Sequence, residues 1–187
     1  LEFRRVLFRS ESFSFTTSDG IASAVAQTYT INVTGANDAP TLDAITAGSV
    51  ADLANSAALG TIANLSGTLT GHDVDAGHTL SYGIAGTVTT GDVQINGITY
   101  NVAQDGAYGT AYVNVTNGAY VYVPDPAKVN ALPAGASPTE SFSFTTSDGI
   151  ASAVAQTYTI NVTGANDAPT LDAITSGSVA DLANSAA

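Results

Sequence analysis

A chain of 187 residues that is 44% hydrophobic has enough apolar mass for a real core and is not a disordered tail. Its net charge is −12, and beyond the first ten residues Lys128 is the sole Lys or Arg, which excludes the phosphate-neutralising surface that nucleic acids and anionic membranes require. The absence of cysteine removes disulfides, thiolate zinc sites and cysteine nucleophiles together, and no apolar run approaches the roughly 18 residues of a membrane span.

Residues 1–10, LEFRRVLFRS, hold Arg4, Arg5 and Arg9 and little of the Thr/Ser/Gly background that follows. They resemble the translation of a sequencing-adaptor tail and are read as a non-native leader. Residues 11–58 then recur as residues 140–187, with Ala47 replaced by Ser176 as the single difference. From residue 11 to residue 140 the offset is 129 residues, so the chain reads as a window slightly longer than one period of a tandem array. On that reading residues 11–36 are the last hairpin of a preceding repeat, 37–165 form one complete repeat, and 166–187 begin the next.

Within the period, turn signals recur about every ten residues between short runs rich in Val, Ile, Tyr and Thr, the pattern of an all-β sandwich. The expected strands are 41–46 (A), 61–70 (B), 78–85 (C), 108–116 (D), 119–123 (E), 140–147 (F) and 153–163 (G). A small hairpin over 93–102 decorates the connection from C to D, and no long helix is expected. In TAYVNVTNGAYVYVPD, Tyr112, the Val113/Val115 pair, Tyr120 and Tyr122 flank Asn117-Gly118, the dipeptide of a tight type I′ turn. In QTYTINVTG, Tyr158, Ile160 and Val162 share one face, Thr159 and Asn161 the other, and one face goes to the core.

Counting strand directions brings the B-C, D-E and F-G loops to the same end as the incoming linker. The B-C loop, GHDVDAG, holds Asp73 and Asp75; the F-G loop, TSDGI, holds Asp148; the linker, GANDAP, holds Asn37 and Asp38. Four carboxylates converging there repel one another and raise their own pKa values unless a cation neutralises them. Calcium fits: it takes six to eight oxygens at about 2.3–2.6 Å in irregular geometry, whereas magnesium demands a tight octahedron. Pro40 fixes its own φ and restricts Ala39, so the linker is stiff before an ion arrives. An ion shared between linker and loops would lock the angle between neighbouring repeats. At the opposite end the outgoing GANDAP supplies Asn166 and Asp167, with Glu140 and Asp125 nearby, to complete the next junction from below. Turn chemistry is the competing explanation for Asp125 in VPDP, and for Asp148 and its copy Asp19 in Asp-Gly turns.

The segments LSGTLTGHDVDAG, YGTAYVNVTNGAYVYVPD, ESFSFTTSDG and YTINVTGANDAP together resemble the VCBS repeat, a cadherin-like module of long bacterial adhesins and RTX-type surface proteins, also labelled tandem-95. The resemblance spans residues 37–166 once, with partial copies on each side. It implies an immunoglobulin-like or cadherin-like Greek-key sandwich and export by a type I system to the extracellular face of a Gram-negative cell. It also implies a spacer role in adhesion and biofilm formation. Neighbouring repeats are the implied partners, with surface glycans or other cells engaged through other domains. In cadherins a linker Asn-Asp and an Asp-x-Asp pair bind interdomain calcium, and Asn37, Asp38, Asp73 and Asp75 match those types. The Pro-Glu and Leu-Asp-Arg-Glu motifs of cadherins, and a glycine-rich RTX array, do not occur here.

Catalysis is not expected. His72 and His78 are the only histidines, read as solvated loop residues around one turn, and the chain lacks Cys and Trp. The alternative function is a carbohydrate- or protein-binding module of a surface protein or RTX toxin, although near-identical copies favour reach over recognition. Because residues 11–36 repeat the sequence of the F-G hairpin, they are expected either detached or competing for its slot.

Overall fold

The computed structural model describes residues 8–54, 62–75, 77–151 and 154–179. The first seven residues of the leader, residue 61 of expected strand B, residue 153 of expected strand G, and residues 180–187 of the expected next repeat lie outside the described residues.

Runs of alternating β-branched and aromatic residues form strands wherever one face can be buried. In chain order these are β1 (Phe8–Phe15), β2 (Gln27–Thr34), β3 (Thr41–Leu42), β4 (Gly48–Ala51), β5 (Leu65–Thr68), β6 (Gly71–His72), β7 (Ser81–Ile84), β8 (Thr89–Ile95), β9 (Ile98–Asp105), β10 (Gly109–Val113), β11 (Ala119–Pro124), β12 (Thr139–Ser147) and β13 (Val154–Thr163). A single short helix, α1 (Pro126–Asn130), joins β11 to β12 among the described residues. A five-stranded sheet has the order β5-β11-β10-β9-β8, a four-stranded sheet the order β4-β13-β12-β7, and β3 pairs with β6 alone.

The two larger sheets share one core, so the protein is a nearly all-β sandwich. Ala111, Val113 and Tyr122 from the first sheet are packed in the same cluster as Val50, Ile84, Phe142, Phe144, Tyr158, Ile160 and Val162 from the second. The Tyr120 ring meets Phe144 and Tyr158 at centroid separations of 5.3 and 5.2 Å, and Tyr122 meets Phe142 at 5.9 Å. Such tilted aromatic pairs add to the area they bury. The expected inward face of Tyr158, Ile160 and Val162 is buried, while Asn161 is exposed.

Several expected strands come out differently. Expected strand A is divided: β3 pairs antiparallel with β6, then the chain changes sheets and β4 runs parallel to β13, with Val50 opposite Val162. The crossing is tight, since a Cβ on Gly48 would lie 2.5 Å from Leu65 and 2.6 Å from the Tyr158 hydroxyl, and only glycine fits. Expected strand B is likewise interrupted, as β5 and β6. The hairpin expected as a decoration is β8–β9, which extends the five-stranded sheet by pairing β9 with β10. Its turn is the two-residue type I′: Ile95 pairs with Ile98, and Asn96 and Gly97 have φ of 52° and 79°. Asn117-Gly118 is not such a turn. Only Gly118 has positive φ, at 73°, and the Asn114 side chain accepts from Thr116 N and Asn117 N at 2.9 and 3.1 Å, opening a wider loop.

The repeated segment is an internal control. β1–β2 and β12–β13 share sequence and register, with Phe13 opposite Tyr29 as Phe142 is opposite Tyr158. Yet β1 and β2 pair with each other and no other strand among the described residues. Phe15 is 62% exposed and Tyr29 59%, whereas their copies Phe144 and Tyr158 are 0% and 2% exposed. Of the two expected fates, the hairpin adopts the detached one.

Candidate metal centre

Three chain segments meet at the end of the sandwich where the incoming linker arrives. In the loop between β6 and β7, Asp73 Oδ1 accepts from Asp75 N at 2.9 Å, an Asx turn that gathers two carboxylates within three residues. In the loop between β12 and β13, Asp148 Oδ1 accepts from Ile150 N and Ala151 N, each at 2.8 Å. The linker is tied to both: Asn37 Nδ2 donates to Asp148 Oδ2 at 2.8 Å, and Asp38 N donates to Asp75 Oδ2 at 2.6 Å. The structure thus brings together Asn37, Asp38, Asp73, Asp75 and Asp148.

The copy of Asp148 separates turn chemistry from site chemistry. Asp19 Oδ1 accepts from Ile21 N and Ala22 N at 2.9 Å, so the Asp-Gly turn forms without any linker. The bond from Asn37 is what the complete module adds. Mutual repulsion was expected to raise the carboxyl pKa values, but Asp148 is held below the ordinary value. The Ile150 N–H lowers it most; burial opposes this, and the Asn37 amide and Ala151 N–H assist. The Asp-Gly turn therefore favours the anion of Asp148, as it does in the copy Asp19, whose carboxyl is lowered by the Ala22 and Ile21 N–H groups.

His78 also belongs to this cluster, contrary to its reading as a solvated loop residue. Its Nδ1 lies 3.5 Å from Asp73 Oδ2 and 4.0 Å from Asp148 Oδ2. The side chains of His78, Asp73 and Asp148 are 14%, 6% and 0% exposed. Asp73 Oδ2 and His78 Nδ1 are shielded from solvent, and neither has a hydrogen-bond partner. One ligand atom each from Asp73, Asp75 and His78 falls within 4.8 Å of the others. Unpartnered polar atoms of this kind are rare in folded proteins, and these three side chains could together hold a cation. His72, by contrast, is exposed and bonds Asp43 at 3.2 Å on the outside of the sandwich.

The opposite end assembles only in part. Glu140 is engaged inside the sandwich: Tyr122 Oη donates to its Oε1 and Tyr108 N to its Oε2, which removes it from the outgoing junction. Burial first, then the bond to Glu140, pushes the Tyr122 phenol far up, so it stays a neutral donor. Asp125 is the N-cap of α1, accepting from Ala127 N and Lys128 N. Asn166 is exposed and makes no side-chain hydrogen bond among the described residues, while Asp167 Oδ1 is shielded and unpartnered. Asp52, which sequence reasoning missed, is 7% exposed; its Oδ2 accepts from Ala165 N at 3.2 Å and its Oδ1 has no partner. No local signal points to Asp52, because it reaches the linker only through the parallel pairing of Ala51 with Thr163. His78 was within reach of the spacing Asp73-x-Asp75-x-x-His78, given that Gly77, with φ of 88°, reverses the loop.

Among known proteins, no family model and no curated sequence matches the chain.

Proposed function

We propose that this chain is a structural spacer of a large secreted bacterial surface adhesin, made rigid by calcium at the junctions between consecutive modules. The observation that carries the proposal is the attachment of the incoming linker to two acidic loops at once, through Asn37 to Asp148 and Asp38 to Asp75. An ion bound by those loops fixes the direction in which the chain enters the module.

The repeat offers a second view of the same junction. Asn166-Asp167 copies Asn37-Asp38 and stands where the linker leaves a module. There the buried carboxylate of Asp52 accepts from Ala165 N, and Asp52 and Asp167 each hold an oxygen without a partner. A complete junction thus combines Asp52 of one module, the linker aspartate, and Asp73, Asp75 and Asp148 of the next. Oxygens in that number and irregular placement suit calcium. The sheet order supports an immunoglobulin-like or cadherin-like Greek key, with expected strands G, F and C in one layer and B, E and D in the other. The split first strand belongs to the same scheme. Adhesion, biofilm support and an extracellular location rest on the likeness to VCBS repeats, and no catalytic role is assigned.

A protein of two full repeats tests the reading by calcium titration with thermal melting and small-angle scattering. Calcium raises the melting temperature and narrows the spread of interdomain angles, and Asp73→Ala with Asp75→Ala abolishes both. Equal melting and equal bending in calcium and in chelator would overturn it, as would tight glycan binding by a single repeat.

A further inference from the structure

An all-oxygen calcium site leaves His78 unexplained. Its imidazole is largely enclosed, and its Nδ1 faces Asp73 Oδ2 at 3.5 Å and Asp148 Oδ2 at 4.0 Å. Those separations exceed the ~2.7–3.2 Å of a normal N–H···O bond, and both Nδ1 and Asp73 Oδ2 are unpartnered. The 3.5 Å between Nδ1 and Asp73 Oδ2 does match two ligand atoms on one small ion: with bonds of about 2.0–2.2 Å at tetrahedral angles, ligands sit roughly 3.3–3.6 Å apart, and the 4.0 Å to Asp148 Oδ2 lies outside that range. The Asp73 side chain is 6% exposed, and its unpartnered Oδ2 is turned toward Nδ1.

We propose that Asp73, Asp75 and His78 form a mixed nitrogen and oxygen site for a borderline divalent ion of the zinc class, with His78 Nδ1 as a direct ligand and the Asp148 carboxylate beside it. Imidazole nitrogen suits zinc and its neighbours in the first transition row, whereas calcium, a hard ion, is bound by oxygen. The linker supplies the outer layer. Asn37 Nδ2 holds Asp148 Oδ2, and Asp38 N holds Asp75 Oδ2, so each of these carboxylates is oriented by a second bond. The inference rests on the metal-binding reading of this pole and refines it: calcium and zinc share the carboxylates and compete, and His78 tips the selection toward zinc.

The test uses the 187-residue chain, stripped with chelator and titrated separately with Zn2+ and Ca2+ by calorimetry, with thermal melting as a second readout. His78→Ala lowers zinc affinity at least tenfold and leaves the calcium-induced melting shift in place; His72→Ala changes neither. His78→Asp, which replaces nitrogen by oxygen, reverses the preference in favour of calcium. In the unsubstituted chain the imidazole nitrogen resonances of His78 move on adding Zn2+ and stay still on adding Ca2+, a readout that does not depend on the variants folding. Zinc affinity unchanged in His78→Ala, or a His78 resonance indifferent to zinc, overturns the proposal. Loss of the calcium response alone, with the zinc response intact, overturns the calcium reading and leaves the mixed site standing.

Discussion

Asp148 carries a charge that its own turn stabilises. Its carboxyl lies below the ordinary 3.8 in the folded chain because the Ile150 and Ala151 N–H groups and the Asn37 amide favour the anion over the acid. A depressed folded pKa contributes stability that is fully present above the unfolded value and is lost as pH falls through the folded one. The melting temperature of the chain therefore drops as pH falls through the ordinary carboxyl value and on through the lower folded one, and it drops less in Asp148→Asn, which keeps the turn acceptor and removes the charge. A slope identical in both proteins would show that the carboxylate is not differentially stabilised. Glu140 gives the contrasting case. Its oxygens take Tyr122 Oη and Tyr108 N, so Glu140→Gln leaves calcium affinity within about twofold of the original while reducing stability by roughly 1–3 kcal/mol. A large loss of calcium affinity in that variant would return Glu140 to the junction.

The two copies of one hairpin isolate, at the level of the element, what burial contributes. Phe15 and Phe144 share their neighbours in sequence and their place in the ladder, but one is exposed and the other enclosed by Tyr120 and Tyr158. Phe144→Ala costs about 3–5 kcal/mol in chemical denaturation, whereas Phe15→Ala costs less than about 0.5 kcal/mol. Amide exchange separates them in the same way, with β12 and β13 protected near the global unfolding energy and β1 and β2 exchanging as a marginal pair. Equal protection of both hairpins would mean that the first is covered in solution. The two Asn-Gly pairs carry the same lesson. Asn96-Gly97 forms the two-residue turn because Ile95 and Ile98 pair directly across it, whereas Asn114 draws Thr116 and Asn117 into a local loop and pre-empts Asn117-Gly118.

For the whole molecule, a net charge of −12 on 187 residues leaves few cations to offset the carboxylates gathered where the linker arrives, and the calcium proposed for that end would relieve their repulsion. Calcium at about a hundred times its dissociation constant adds roughly 2.7 kcal/mol to the folded state. At about 2–4 °C per kcal/mol, that is a melting shift on the order of 5–10 °C. The positions of expected strands E, F and G, the inward face of Tyr158, Ile160 and Val162, and the gathering of Asn37, Asp38, Asp73, Asp75 and Asp148 at one end were legible in the sequence. Each follows from local alternation, from turn residues, or from the repeat, all of which a linear string records. The parallel seat of β4 on β13, the buried carboxylate of Asp52, the entry of His78 into the acidic pole, the withdrawal of Glu140 into the sandwich, and the choice of which identical hairpin is covered were decided by tertiary structure. These depend on contacts between residues up to 113 positions apart, such as Asp52 with Ala165, and no short-range preference of either partner encodes the meeting.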